Sequence, residues 1–167
     1  IEALCYLRKK YYYNSKYSKD SVYGMTLISD RKEIPSWRRS SFFLSNNRNV
    51  SIVKGLDGTG NLYNIENQKF LQNRISPEKA ILITGDGGFD FSIDYNKQEY
   101  LAQKLIYSQI ISALGCQKIG GIFICKLFDT YTLLSIEMIY LLYCLYDEIN
   151  IYKPLTSRPA NSEKYII

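Results

Sequence analysis

Apolar positions along this chain come in short blocks whose spacing changes between helical and strand-like, with polar stretches between them. Ile1–Lys10 has the pattern of the tail of an amphipathic helix, fraying into a polar, tyrosine-rich loop over Tyr11–Lys19. Tyr23–Ile28 (YGMTLI) has strand composition and is followed by polar residues from Ser29 to Ser41. Val50–Val53 predicts a second short strand, stopped by the glycine-rich GLDGTGN of Gly55–Asn61. Asn64–Ile75 has helical spacing and good helix formers, and Pro77 ends it. From Ala80, AILIT suits a buried strand and runs into the acidic turn of GDGGFD, which ends at Asp90.

Gln98–Leu114 reads as a long helix, with Leu101, Leu105, Ile106, Ile110 and Ala113 on its apolar side. A turn at Lys118, Gly120 and Gly121 then feeds an apolar, β-branched strand that ends on Lys126, with Phe128 and Asp129 just beyond. A core helix over Tyr131–Tyr146, a strand over Ile149–Tyr152 and a short strand at Tyr165–Ile167 complete the chain. Strands alternating with helices imply an α/β fold, a parallel sheet with helices on both faces. With 167 residues and 46% hydrophobic content, residues 1–167 are expected to form a single domain. The first strand of such a fold, and the loop after it, are not in this sequence.

Charge changes the picture in the first third. Residues 1–54 hold eleven Lys/Arg against four Asp/Glu, leaving ten against twelve for the rest. Arg8, Lys9, Lys10, Arg31, Lys32, Arg38, Arg39 and Arg48 are interleaved with Tyr11, Tyr12, Tyr13, Tyr17, Tyr23 and Trp37. That mixture suits a polyanion, because cations neutralise phosphates and aromatic rings stack on bases; an ordinary solvated surface would have the same composition. There is no histidine, which removes imidazole-dependent serine, cysteine and zinc hydrolase schemes. Cys5, Cys116, Cys125 and Cys144 are far apart in apolar neighbourhoods without zinc-ligand spacing, so buried, reduced thiols in an intracellular compartment are expected, with no metal. No secretory or membrane segment is visible, since Glu137 interrupts the longest apolar stretch.

Three polar side chains fall at strand ends or at the entry to the last strand: Asp86, Lys126 and Glu163. Ligands of open α/β sheets collect at the carboxyl ends of the strands, so an amine between two carboxylates there suits proton handling or charge positioning at a hydroxyl. A lysine snorkelling from a strand end within an ion-pair network explains the same residues structurally. Asp57, flanked by Gly55 and Gly58, can accept from an adenine amino group, or can simply make an Asp-Gly turn. GDGGF lacks the spacing of a dinucleotide fingerprint, and a nicotinamide site there is rejected.

Taken together, YGMTL, GLDGTGN, TGDGGFDF with DYNKQE, GGIFICKLFD, YLLYCLYDEINIYKP and TSRPANSEKY resemble the FtsJ-like ribose 2′-O-methyltransferases, in family order and nearly across the chain. The branch they look like methylates the first transcribed nucleotides of capped mRNA. The resemblance implies a Rossmann-like sheet, S-adenosylmethionine as cofactor and a Lys-Asp-Lys-Glu tetrad, in which Asp86, Lys126 and Glu163 are the last three members. It also implies that Asp57 and Gly58 hold the adenosyl part of the cofactor, and that Asn96, Lys97, Gln98 and Asn161 touch the RNA. Ser157 and Arg158 are phosphate or ribose contacts by proximity. The family's first lysine and its Gly-Gly-Phe cofactor loop lie upstream of the helix that begins at Ile1, outside this sequence. Implied partners are capped mRNA and other capping or transcription factors. Methylation of ribosomal or transfer RNA, and an inactive RNA- or partner-binding module, are the alternatives. The bias to Asn, Ile, Lys and Tyr fits AT-rich coding DNA of a protozoan or a large DNA virus, hence a nuclear location in the first case and host cytoplasm or virion in the second.

Overall fold

A computed structural model describes residues 1–12, 20–31, 34, 36–88 and 95–167. Most of the tyrosine-rich loop, Lys32, and residues 89–94 of the GDGGFDF motif and its continuation lie outside the described residues. The chain gathers into two compact units, Ile1–Leu71 and Gln72–Ile167.

The first unit holds helix α1 (Glu2–Tyr12), strand β1 (Val22–Gly24), a short helix α2 (Ser41–Asn46), strand β2 (Val50–Ile52) and most of helix α3 (Ile65–Ile75). Basic Lys9 and Lys10 fall in the last turn of α1, where they oppose the negative end of the helix dipole. β1 and β2 pair in parallel, Val22 with Val50 and Gly24 with Ile52. Gly24 has to be glycine, because a Cβ there would lie 2.6 Å from the ring of Trp37. α3 is capped by Asn64, whose side-chain oxygen accepts from Glu66 N at 3.0 Å. Its end precedes Pro77, as the pattern predicts. The helix α2 was not expected: six residues, SFFLSN, are under two turns and carry no periodic signal.

The second unit is built on strands β3 (Ala80–Gly85), β4 (Gln117–Leu127), β5 (Ile151–Tyr152) and β6 (Lys164–Ile166), with helices α4 (Gln98–Cys116) and α5 (Leu133–Leu145). The sheet order is β3-β4-β6-β5. β3 and β4 are parallel, but β6 runs antiparallel to both β4 and β5. The expected wholly parallel sheet is therefore corrected to a mixed one. β4 also begins earlier than expected. Between the pairs Ala80 with Gln117 and Leu82 with Ile122, β3 advances two residues while β4 advances five, so Lys118–Gly121 forms an irregularity inside the strand.

The core lies against one face of this sheet. Ala102, Ile106, Ile110 and Ala113 of α4 meet Phe123, Cys125 and Leu127, which alternate along β4, together with Met138 and Leu142 of α5 and Ile166 of β6. Within this unit, then, α4 and α5 cover the same face. Leu101, expected on the apolar side of α4, is exposed, and Ala102 takes its place. α5 is a core helix on one side only: Met138 and Leu142 are buried in the core, while Leu133, Ile136, Tyr140 and Tyr143 are exposed. Cys5, Cys116 and Cys125 are buried free thiols, but Cys144 on α5 is exposed, against expectation. Burial pushes the Cys116 thiol up to about 11 and the Cys125 thiol up to about 12. Among the described residues, no helix is long and apolar enough to cross a membrane.

Candidate active site

Two candidate residues arise at neighbouring carboxyl ends of parallel strands, Asp86 directly after β3 and Lys126 one residue before the end of β4. The parallel register, Gly85 beside Cys125, brings them level. Lys126 Nζ lies 3.0 Å from Asp86 Oδ1, and it also donates to the Asp86 carbonyl at 3.2 Å. The lysine side chain is only 14% exposed while that of Asp86 is 69% exposed, so packing fixes the amine and solvent reaches the carboxylate. The amine also stands 5.9 Å from the centre of the Phe128 ring. A Cβ at Gly88 would come to 3.2 Å from Nζ, so a side chain there would crowd the amine.

Glu163 reaches the same end of the sheet only because β6 is reversed. Leu127 pairs with Lys164, so the residue that precedes β6 stands beside the carboxyl end of β4; in a parallel strand it would stand at the opposite edge. Tyr165, opposite Lys126 in the register, completes the group. Its hydroxyl lies 3.2 Å from Glu163 Oε1 and 3.5 Å from Asp86 Oδ1. Asp86 and Lys126 are thus in direct contact, and Glu163 joins through the phenol. Burial, followed by the charges of Asp86 and Glu163, raises the pKa of that phenol well above its usual value. Tyr165 was missed in the sequence, although its place two residues after Glu163 puts it on the same strand face.

A cleft of about 420 Å³ opens beside this group, lined by Asn96, Gln98, Asp129, Arg158, Asn161 and Glu163, among others. Of the residues expected to touch RNA, Asn96, Gln98, Arg158 and Asn161 are therefore brought together. Lys97 is exposed in the short 3₁₀ turn before α4 and does not line the cleft. Ser157 does not line it either; its hydroxyl donates to Asn161 Oδ1 at 3.1 Å. Asp129 and Ser162, both lining residues, were not singled out from sequence. Ser162 donates to Gln98 Oε1 at 3.1 Å and so ties the loop of residues 154–163 to the start of α4.

Asp57 and Gly58 belong to the first unit, in the loop after β2. Asp57 Oδ1 accepts from Thr59 N at 2.9 Å, Thr59 Oγ1 at 2.7 Å and Asn67 Nδ2 at 2.8 Å, while Oδ2 accepts from Asn64 Nδ2 at 2.9 Å. The backbone N–H of Thr59 first, then these side chains, hold its carboxyl well below the usual carboxylate range. The turn reading is therefore correct as far as it goes. It leaves one lone-pair direction on Oδ2 for a further donor. Gly58 has φ +78 and open space where a Cβ would stand, so a flat group can approach its backbone.

The family model described as FtsJ-like methyltransferase matches residues 10–167. The cap-specific mRNA (nucleoside-2′-O-)-methyltransferase 1 of Bos taurus is 39% identical over 117 residues, covering 68% of this chain and 14% of the relative. The human protein of that name is 38% identical over the same span, with equal coverage. That of Trypanosoma cruzi is 40% identical over 114 residues, 68% of this chain and 32% of its own length. The chain thus spans about 14% of the length of the mammalian relatives it matches. FtsJ-like methyltransferases depend in general on S-adenosylmethionine. With an α/β sheet, an Asp-Lys contact at its strand ends and a family match from residue 10 to residue 167, the chain belongs to the FtsJ-like methyltransferase family.

Proposed function

We propose that this chain contributes the Asp, second Lys and Glu of an enzyme that methylates the ribose 2′-hydroxyl of the first transcribed nucleotides of capped mRNA. The observation that carries the reading is the 3.0 Å contact of Lys126 with Asp86, with Glu163 joined through Tyr165, at the mouth of a polar cleft. The names of the relatives point to capped mRNA rather than ribosomal or transfer RNA. Both units are proposed to belong to one domain across 1–167, since the family match runs unbroken through their boundary inside α3. An intracellular site of action follows from the substrate class.

Asp57 and Gly58 fit the adenosyl part of the cofactor. Asp57 Oδ2 keeps an acceptor direction and Gly58 is open above its backbone, which suits the amino edge and face of an adenine. S-adenosylmethionine, when bound, supplies the methyl group. Lys126 Nζ holds the ribose 2′-oxygen, steers its proton and stabilises the negative charge that grows on that oxygen. Asp86 fixes the lysine from the β3 side. Glu163, oriented by Tyr165, holds the hydroxyl from the β6 side. Asn96, Gln98, Asn161 and Arg158 fix the nucleotide in the cleft, so that positioning supplies much of the acceleration.

In the full-length protein, Lys126→Ala is expected to lower transfer to a short capped transcript by about 10²–10⁴-fold, with affinity for S-adenosylmethionine unchanged. Unchanged turnover rejects the assigned role. Equal methylation of the uncapped transcript would move the substrate to another RNA class, and the absence of any calorimetric heat with S-adenosylmethionine would leave a binding module.

A further inference from the structure

The loop from Pro154 to Glu163 forms one wall of the cleft, and one side chain outside that loop holds its shape. Lys153, just after β5, donates from Nζ to Asn161 O at 2.7 Å, Asn161 Oδ1 at 2.8 Å and Glu163 O at 3.0 Å. An ammonium has three N–H donors and no acceptor, so all three are used here on two residues of the candidate site. The same property settles the orientation of Asn161. Only an oxygen can face a lysine Nζ at bonding distance, and Ser157 Oγ donates to that oxygen as well. Oδ1 is therefore spent within the loop, and among the described residues Nδ2 of this cleft-lining side chain has no partner.

We propose that Lys153 is a positioning residue that sets the hydrogen-bonding sense of the cleft wall. By taking Oδ1, it turns the Asn161 amide so that its two N–H groups serve the ligand, and by taking the Glu163 carbonyl it fixes the backbone on which the Glu163 carboxylate stands. The wall then selects an acceptor on the RNA, a ribose, phosphate or base-carbonyl oxygen, at the Asn161 position. This rests on the reading of the cleft as the seat of the substrate RNA. Lys153 is exposed, so removing its amine leaves the core intact.

The test uses full-length protein with Lys153→Met, which keeps the chain length of the side chain and removes the donors. Two quantities are read: backbone hydrogen exchange at residues 161–164, and KM for a short capped transcript. Loss of a charged hydrogen-bonding centre is expected to speed exchange there by at least about tenfold and to raise KM by about tenfold. Affinity for S-adenosylmethionine stays unchanged. Lys153→Arg, which keeps the charge on a planar fork, is expected to return KM to within about threefold of wild type. Native exchange in Lys153→Met overturns the proposal, and so does faster exchange with a native KM, because Asn161 would then not be read by the RNA. Exchange does not depend on turnover. If the wild-type protein methylates no transcript, the functional reading fails, and the exchange result still decides whether Lys153 sets this loop.

Discussion

Tyr165 has one proton to give and two carboxylates near it, Glu163 Oε1 at 3.2 Å and Asp86 Oδ1 at 3.5 Å. The shorter contact is the better bond, so the phenol orients Glu163 and adds only a weak attraction to Asp86. Its raised pKa keeps the proton in place throughout the range in which a methyltransferase works, so its ionisation is not expected in a rate profile below about pH 10. Tyr165→Phe should leave the Lys126–Asp86 contact standing, cost about 0.5–1.5 kcal/mol of stability and lower kcat by roughly tenfold or less. A denaturant titration and steady-state kinetics on the same sample check both. A fall as deep as that of Lys126→Ala would mean that the phenol touches the reacting hydroxyl itself. Asp86, Lys126 and Glu163 were legible in the sequence because each stands beside a recognisable strand end. Tyr165 was not, because its importance comes from facing Lys126 across a strand pair, and sequence spacing does not show which strands pair.

Helices and strands were largely legible at the level of elements, and their directions were not. Each of the six strands among the described residues overlaps an expected apolar block, although β1 stops at Gly24 instead of Ile28 and β4 starts at Gln117, but nothing in KYI distinguishes a strand that runs with its neighbours from one that runs against them. That direction is what delivers Glu163 to the site. The helix α5 shows the same limit: a run of apolar residues suggests burial, yet only Ser135, Met138 and Leu142 are buried on it. Beside the core contacts of Met138 and Leu142, a polar group seats α5. Glu99, near the start of α4, accepts from Thr132 N at 2.9 Å, Thr132 Oγ1 at 2.7 Å and Tyr131 N at 3.2 Å, placing a buried carboxylate at the positive end of α5. Burial raises the pKa of that carboxyl, but hydrogen bonds from Ser135, Thr132 and Tyr131 outweigh it and the net shift is downward. A carboxyl with a depressed folded-state pKa adds stability that is present above its unfolded value of 4.5 and is lost as pH falls through the folded value. Glu99→Gln should therefore be less stable than wild type by about 1–2 kcal/mol at pH 7, with a smaller gap at a second pH below 4.5. Urea titrations at the two pH values test it. A gap of equal size at both would show that packing of the side chain, and not its charge, seats the helix.

Across the whole molecule the uneven charge of the sequence maps onto one unit, and the structure sorts its cations into two groups. Arg8 is bound to Asp20, Lys9 to Asn47, and Arg38 to the carbonyls of Ser29 and Arg31, so these hold the unit together. Lys10, Arg39 and Arg48 are exposed, and Lys10 Nζ stands 5.3 Å from the centre of the exposed Tyr11 ring. A cation beside an exposed ring suits a single-stranded nucleic acid, which offers phosphates and base faces together. On the proposed function, the exposed cations of this unit are expected to contact phosphates of a longer RNA. Each phosphate neutralised on a single strand contributes about 0.7 to the slope of log affinity against log salt. The double variant Arg39→Gln with Arg48→Gln should therefore bind a capped transcript of about twenty nucleotides more weakly, with a slope shallower by about 1 to 1.4. Lys118→Gln, an exposed cation of the second unit, serves as the control and should leave the slope unchanged. For a capped dinucleotide, which offers few phosphates beyond those held in the cleft, the double variant should match wild type. Equal slopes for wild type and double variant on the longer transcript would assign these arginines to ordinary solvated surface and leave the Asn96, Arg158 and Asn161 cleft as the RNA contact.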